Sequence, residues 1–178
     1  MRALLAILLL VAGPALAGPK ASVTVHDTPV ELPSISIHAP DGSRHGLEEF
    51  RGKAVVLDLW ATWCLPCRAE FPNLDKLQAR RGAEGVQVVP ISLDRKGWPA
   101  VQKFYADTGV TNLPAFLDED RTLTSVLGAQ ALPTTLILDR QGREVARVVG
   151  PLEWGGLQAE ELLSKALASP SPASGGGG

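Results

Sequence analysis

The chain is short of the residues from which metal and polyanion sites are built. Its 178 residues include two cysteines, three histidines and one methionine. The histidines, His26, His38 and His45, all precede the segment that carries the cysteines, and the methionine is Met1. A structural zinc site needs four nitrogen or sulfur ligands, and this shortage excludes one. The formal net charge of −2 argues against a nucleic-acid surface, which needs a surplus of lysine and arginine. Long apolar runs are missing as well. The one at the start, residues 3–11, falls well short of the roughly 20 residues of a membrane-crossing helix. A composition that is otherwise ordinary predicts one globular domain, able to bury a core without disulfide staples.

The two ends stand apart from that domain. Residues 1–17 combine a basic start at Arg2, the apolar run and the small-x-small ending Ala15, Leu16, Ala17, so they read as an export signal cleaved before Gly18. Its loss takes the charge from −2 to −3. The alternative is an uncleaved membrane anchor. No cysteine follows the cleavage point, which argues against a lipid-anchored form and for a soluble mature protein. Residues 18–31 read as an N-terminal linker without a clear period, although Val23 and Val25 offer an edge strand. The folded domain is expected over 32–168. Residues 169–178, rich in Ser, Pro and Gly, are expected to form a flexible tail that buries too little to offset the entropy of ordering.

What is present centres on residues 55–72. Residues 55–60 are a short apolar run rich in β-branched side chains, the pattern of a strand buried on both faces. Asp58 interrupts it. Cys64 and Cys67 follow, and then Phe71, Leu74 and Leu77 on one helical face. The cysteines therefore sit where a buried strand turns into a helix. A sulfur there feels the unpaired N–H groups and the positive end of the helix dipole, which favour thiolate over thiol. Cysteines in this spacing have pKa values of about 3.5 to 7, against about 8.5 for a free thiol. Cys64 is the reactive candidate, and Cys67, one turn further in, is expected to be deeper and to resolve a mixed disulfide. Pro66 suits the first turn, where its missing N–H has no partner to lose. The competing reading is a purely structural disulfide, but so small a loop gives the least stabilisation a bridge can give.

Other residues join this candidate site with alternatives open. A carboxylate buried at Asp58 would have a raised pKa; the alternative for Asp58 is a strand-end residue paired with a lysine such as Lys53. Pro133 precedes a strand, and spacing alone allows a cis peptide bond or a trans turn proline. Trp60 points to the core, and Trp63 borders the reactive sulfur. Glu70 reads as a solvated helix charge or as a group that tunes the site.

The rest alternates strands and helices. A hairpin is expected over 35–47 with a turn at Pro40, Asp41 and Gly42, then a helical turn over 47–50 closed by Gly52. Helices follow over 66–81, with a kink at Pro72, and over 98–107; strands over 86–92, 113–117, 134–139 and 144–149; and further helices over 123–127 and 157–167. This predicts an α/β architecture with a central mixed β-sheet flanked by helices, and chemistry at the C-terminal end of a strand.

The run Leu59-Trp-Ala-Thr-Trp-Cys-Leu-Pro-Cys67, preceded by Asp58 and followed by Pro72, resembles the active-site region of the thioredoxin superfamily. It is most similar to the TlpA-like (ResA-like) periplasmic thiol-disulfide oxidoreductases. Leu132, Pro133, Thr134 and Thr135 resemble that family's cis-proline loop. The resemblance spans about residues 32–167. It implies a thioredoxin-like fold with an N-terminal β-hairpin and an inserted strand and helix over 111–130. It also implies catalysis by Cys64 and Cys67, with Asp58 shuttling the proton of Cys67, and a loop at Pro133 that presents Leu132 to substrate. Trp63, Leu65, Pro66, Leu132 and Thr134 would form the docking surface. Many TlpA-like sequences have Asn where Asp58 stands and a Glu elsewhere. The implied activity is disulfide exchange in the periplasm, with no cofactor beyond the Cys64–Cys67 disulfide. The favoured direction is reduction, in cytochrome c or copper-site maturation. Protein substrates with cysteine pairs, and a membrane electron donor for a reductant, are the implied partners. The alternatives are a dithiol oxidase and a Cu(I)-binding chaperone using the same two sulfurs. A thiol peroxidase would need threonine three residues before Cys64, where Ala61 stands.

Overall fold

A computed structural model of the chain describes residues 20–170. The expected export signal and residues 171–178 of the expected tail lie outside the described residues. In chain order the elements begin with β1 (Ser22–Val30), β2 (Ile37–His38), β3 (Arg44–His45), a 3₁₀ turn (Leu47–Phe50), β4 (Ala54–Trp60) and α1 (Leu65–Arg81). There follow β5 (Val86–Ser92), α2 (Trp98–Thr108), β6 (Phe116–Leu117), α3 (Leu123–Val126), β7 (Thr134–Leu138), β8 (Glu144–Val149) and α4 (Leu157–Ala168). The strands make one sheet in the order β1-β8-β7-β4-β5-β6-β2-β3.

β4 is buried at every residue, which is why it reads as apolar but for Asp58. Strand alternation sends Val56, Asp58 and Trp60 to one face and Val55, Leu57 and Leu59 to the other. On the first face lie Phe71, Leu74 and Leu77 of α1, Phe104 of α2, and Leu162 and Leu163 of α4. Trp60 is at the centre of this layer as expected, its ring 4.2 Å from that of Phe71 and 4.8 Å from that of Phe104. Ile35, Ile37, Phe116, Leu123 and Leu127 cover the opposite face.

β5 runs parallel to β4, and β6 parallel to β5, whereas β7 is antiparallel to β4. Parallel neighbours need a crossover, and α1 and α2 supply the two required here. Pro90 lies inside β5, opposite Asp58. A proline removes a ladder donor. It is tolerated because β6 pairs only with Ile91 and Ser92, so Pro90 lies beyond that strand's end. The N-terminal hairpin forms as β2 and β3, and β2 joins the sheet through β6, His38 opposite Leu117. The inserted strand is thus the piece that ties the hairpin to the domain.

Within the expected linker, the described residues 20–31 depart from that reading. Ser22–Val30 is a nine-residue strand that pairs antiparallel with β8, extending the edge strand offered by Val23 and Val25. Without it, β8 would present a row of unpaired N–H and C=O groups. No clear apolar period announces β1 because little of it is covered: Val23 packs against the core, whereas Val25 is 49% exposed and Val30 44%.

Candidate active site

Four residues join β4 to α1, and Cys64 is the last of them. It caps the helix with extended backbone (φ −82°, ψ 103°), and its Sγ accepts the N–H of Cys67 at 3.3 Å. Pro66 occupies the first turn. Cys64 and Cys67 are joined as a disulfide with their Cα atoms 5.3 Å apart. Cys67 is fully buried, and Cys64 retains 6% exposure, so the two sulfurs lie in the predicted order of depth. The approach to Cys64 is pinned from β5. Buried Asp94 accepts the N–H of Thr62 at 2.8 Å, the Thr62 hydroxyl at 2.6 Å and the Ser92 hydroxyl at 2.7 Å. Sequence reasoning assigns Asp94 no such role.

A cavity of about 600 Å³ opens in front of Cys64, and Trp63, Pro66 and Leu132 line it. The Leu132–Pro133 peptide is cis, as expected. Two expected docking residues stand apart from this cavity. Leu65 is 76% exposed on the outside of the first helical turn. Thr134 is fully buried, and its hydroxyl donates to the carbonyl of Ala131 at 2.7 Å. The side chain of Thr134 therefore braces the loop from within, because it starts a central strand packed on both sides.

Two carboxyl groups lie inside the protein. Asp58 is fully buried, and its Oδ1 accepts the Thr135 hydroxyl at 3.0 Å. Lys53 does not pair with it, since its amine donates to Gln87 instead. Glu70 corrects the expectation of a solvated charge: it is 4% exposed, and its Oε2 accepts the N–H of Leu152 at 3.2 Å and Nε1–H of Trp154 at 3.3 Å. The signal is in the spacing. Glu70 stands three residues after Cys67 and one before Phe71, on the stripe that α1 turns inward.

Burial, which disfavours the charged form, pushes Asp58 up to about 7, only partly opposed by the Thr135 hydrogen bond. Burial also raises Glu70, to about 9; the negative charge of Asp58 adds to the rise, and the Leu152 and Trp154 bonds oppose it. One acid's charge thus bears on the other's proton, and the two titrate as a pair. Asp58 Oδ2 and Glu70 Oε1 have no hydrogen-bond partner among the described residues, so each is a free position for a proton. Replacing Thr135 by valine removes the donor to Asp58 while keeping the side chain's shape. The expected loss is about 1 to 3 kcal/mol where Asp58 is ionised and less where it is protonated. Urea midpoints at pH 9 and pH 5.5 check this, the larger loss falling at pH 9.

The fold and the paired cysteines define a class: a thiol-disulfide oxidoreductase of thioredoxin-like fold. The chain belongs to the Redoxin family, which it matches over residues 28–165. It is similar to the thiol-disulfide oxidoreductase ResA of Bacillus subtilis, 32% identical over 122 residues that cover 68% of this chain and 67% of that protein. ResA of Geobacillus thermodenitrificans is 30% identical over 135 residues, 75% of this chain and 74% of its own. Among solved structures, a Chlorobium tepidum protein assigned as a thiol:disulfide interchange protein DsbE has a TM-score of 0.69 at 30% identity, covering 79% of this chain and 97% of that one. A secreted thiol-disulfide isomerase of Corynebacterium glutamicum has a TM-score of 0.67 at 27% identity, covering 82% and 89%. No helix among the described residues is long and apolar enough to cross a membrane.

Proposed function

We propose that this oxidoreductase acts outside the cytoplasm as a reductant of protein disulfides, in the maturation of cytochrome c or of copper-site cysteines. The observation that carries the reading is the pairing of a slightly exposed helix-capping sulfur, Cys64, with a fully buried one, Cys67. The Cys67 N–H that meets Cys64 Sγ would stabilise a thiolate at that position. In the dithiol form, the Cys64 thiolate attacks one sulfur of a substrate disulfide, and the other substrate sulfur leaves as a thiolate and takes a proton. Cys67 then loses its proton to Asp58 and attacks Cys64 Sγ, expelling the second substrate sulfur. Two electrons pass to the substrate, and the protein is left with the Cys64–Cys67 disulfide. Trp63, Pro66 and Leu132 line the docking cavity, with the Pro133 loop opposite the cysteines.

Export rests on residues 1–17, and the periplasm is the compartment that the TlpA-like resemblance favours. The same resemblance favours reduction. A reductant working there needs its own dithiol restored, for which a membrane protein carrying electrons from the cytoplasm is the partner. The test is the reduction potential of the Cys64–Cys67 pair, equilibrated with glutathione or dithiothreitol buffers and followed by thiol trapping. A value near or below about −270 mV supports the reductant. A value near about −120 mV makes the protein a dithiol oxidase. Failure of the pair to cycle removes the enzyme reading altogether.

A further inference from the structure

The cavity before Cys64 is lined in part by apolar Leu93, Ala129 and Leu132, and Arg95 and Arg121 also line it. Both arginines are exposed, and neither guanidinium has a hydrogen bond or ion pair among the described residues. Three carboxylates near them accept hydrogen bonds from the protein itself. Asp118 accepts the N–H groups of Thr122 and Leu123, opening α3. Asp94 is taken up by Thr62 and Ser92, and Glu119 accepts Nε1–H of Trp98. The cavity lining therefore offers an incoming group two unengaged guanidinium forks, and both oxygens of its one carboxylate, Asp118, are committed to backbone amides.

Arg121 carries a second, independent sign. Its φ of 57° makes it the one non-glycine residue in the left-handed region among the described residues. That conformation is uncommon for a long side chain and easy for glycine or asparagine. It holds here because the Arg121 N–H donates to the carbonyl of Asp118 while the Asp118 carboxylate takes the next two amides. A turn that glycine would suit better is occupied by an arginine at the cavity wall.

We propose that Arg95 and Arg121 make this cavity selective for acidic cysteine segments: preferred substrates carry Asp or Glu within a few residues of the sulfur that Cys64 attacks. A guanidinium fork matches a carboxylate with two parallel hydrogen bonds. Lining the same cavity as the reacting sulfur, the pair acts mainly on encounter, so its effect weakens with salt. This inference rests on the thiol-disulfide reading of the site.

The test uses the purified full chain in its dithiol form and three synthetic peptides with one internal disulfide, flanked by two Glu, two Gln or two Lys residues. Second-order reduction rates are normalised to the rates with 2-mercaptoethanol, which removes the peptides' own reactivity differences. At low salt the Glu peptide is expected to outrun the Gln peptide on the order of fivefold, and the Lys peptide to trail both. In 0.5 M salt the ratios should contract toward one. In the double variant Arg95→Gln/Arg121→Asn the Glu-to-Gln ratio should fall to about one. Asparagine keeps the left-handed turn, so the fold survives the change. Equal rates for the Glu and Gln peptides, or a Glu preference that persists in the variant, overturn the proposal. A Gln peptide that is reduced without charge preference sinks this inference alone. A Gln peptide that is not reduced at all sinks the oxidoreductase reading with it.

Discussion

Cys67→Ala is expected to stop the reaction at its midpoint, with a substrate peptide held on Cys64 in a one-to-one mixed disulfide. The reason is geometric. Cys67 is one helical turn from Cys64, and its sulfur forms a bond to Cys64 Sγ in the oxidised protein without leaving the turn. Intramolecular attack from so fixed a position corresponds to effective concentrations of about 10⁵ M or more. No external thiol at millimolar level competes with that, so removing Cys67 lengthens the life of the adduct by orders of magnitude and takes steady-state turnover to background. Cys64→Ala should form no adduct, because the remaining sulfur is fully buried. Intact mass after mixing each variant with a disulfide peptide separates the two, and dithiothreitol should release the Cys67→Ala adduct. An adduct on Cys64→Ala and none on Cys67→Ala would exchange the roles of the two sulfurs.

The parts of the molecule legible in the sequence are those where one residue type has one use. The apolar run of β4, the cysteine spacing and the proline in the first turn of α1 place the site before any contact is known. The mixed sheet, the hairpin over β2 and β3 and the insertion of β6 and α3 follow from alternating periods and a recognisable motif. What stays hidden depends on partners distant in the chain. Val23 and Val25 hint at β1, but its full length rests on pairing with β8, which nothing within 18–31 reports. Glu70 is held by Leu152 and Trp154, more than 80 residues away. A glutamate with its neighbours erased reads as a surface charge. Asp94 gives no signal for the same reason, since its partner Thr62 lies across the sheet's end. Thr134 shows the converse: motif position puts it on a docking surface, and strand packing puts its side chain inside. For Glu70 the helical phase is the one local sign, since it shares a stripe with Cys67, Phe71 and Leu74; its partners supply the rest.

The two buried acids lead to the second large effect, in which stability and rate move in opposite directions. Asp58 and Glu70 rise from ordinary values of 3.8 and 4.5 to about 7 and about 9. A raised carboxyl means that the folded protein keeps a proton that the unfolded chain releases. Stability is therefore full below about pH 4 as far as these groups are concerned, and it falls as pH climbs, through about 7 for Asp58 and about 9 for Glu70. Asp58→Asn/Glu70→Gln removes both titrations. The double variant should be more stable than the parent at pH 9 by a few kcal/mol, on the order of 1.4 kcal/mol for each tenfold difference in proton affinity between the folded and unfolded chain, and its stability should be flatter across pH 5 to 9. Asp58→Asn alone should lower the Glu70 pKa, since the charge that helped raise it is gone. The cost appears in the chemistry. With no carboxylate to take the Cys67 proton, resolution of the mixed disulfide should slow about a hundredfold or more, whereas attack by Cys64 on the first substrate sulfur should change little. Stopped-flow kinetics of the two steps, set beside urea midpoints across the same pH range, test both halves. Parallel stability slopes for parent and double variant would mean that the acids do not hold these protons in the folded state. Divergent slopes with an unchanged resolution rate would make the pair a destabilising burial with no part in the exchange, and would send the Cys67 proton directly to solvent.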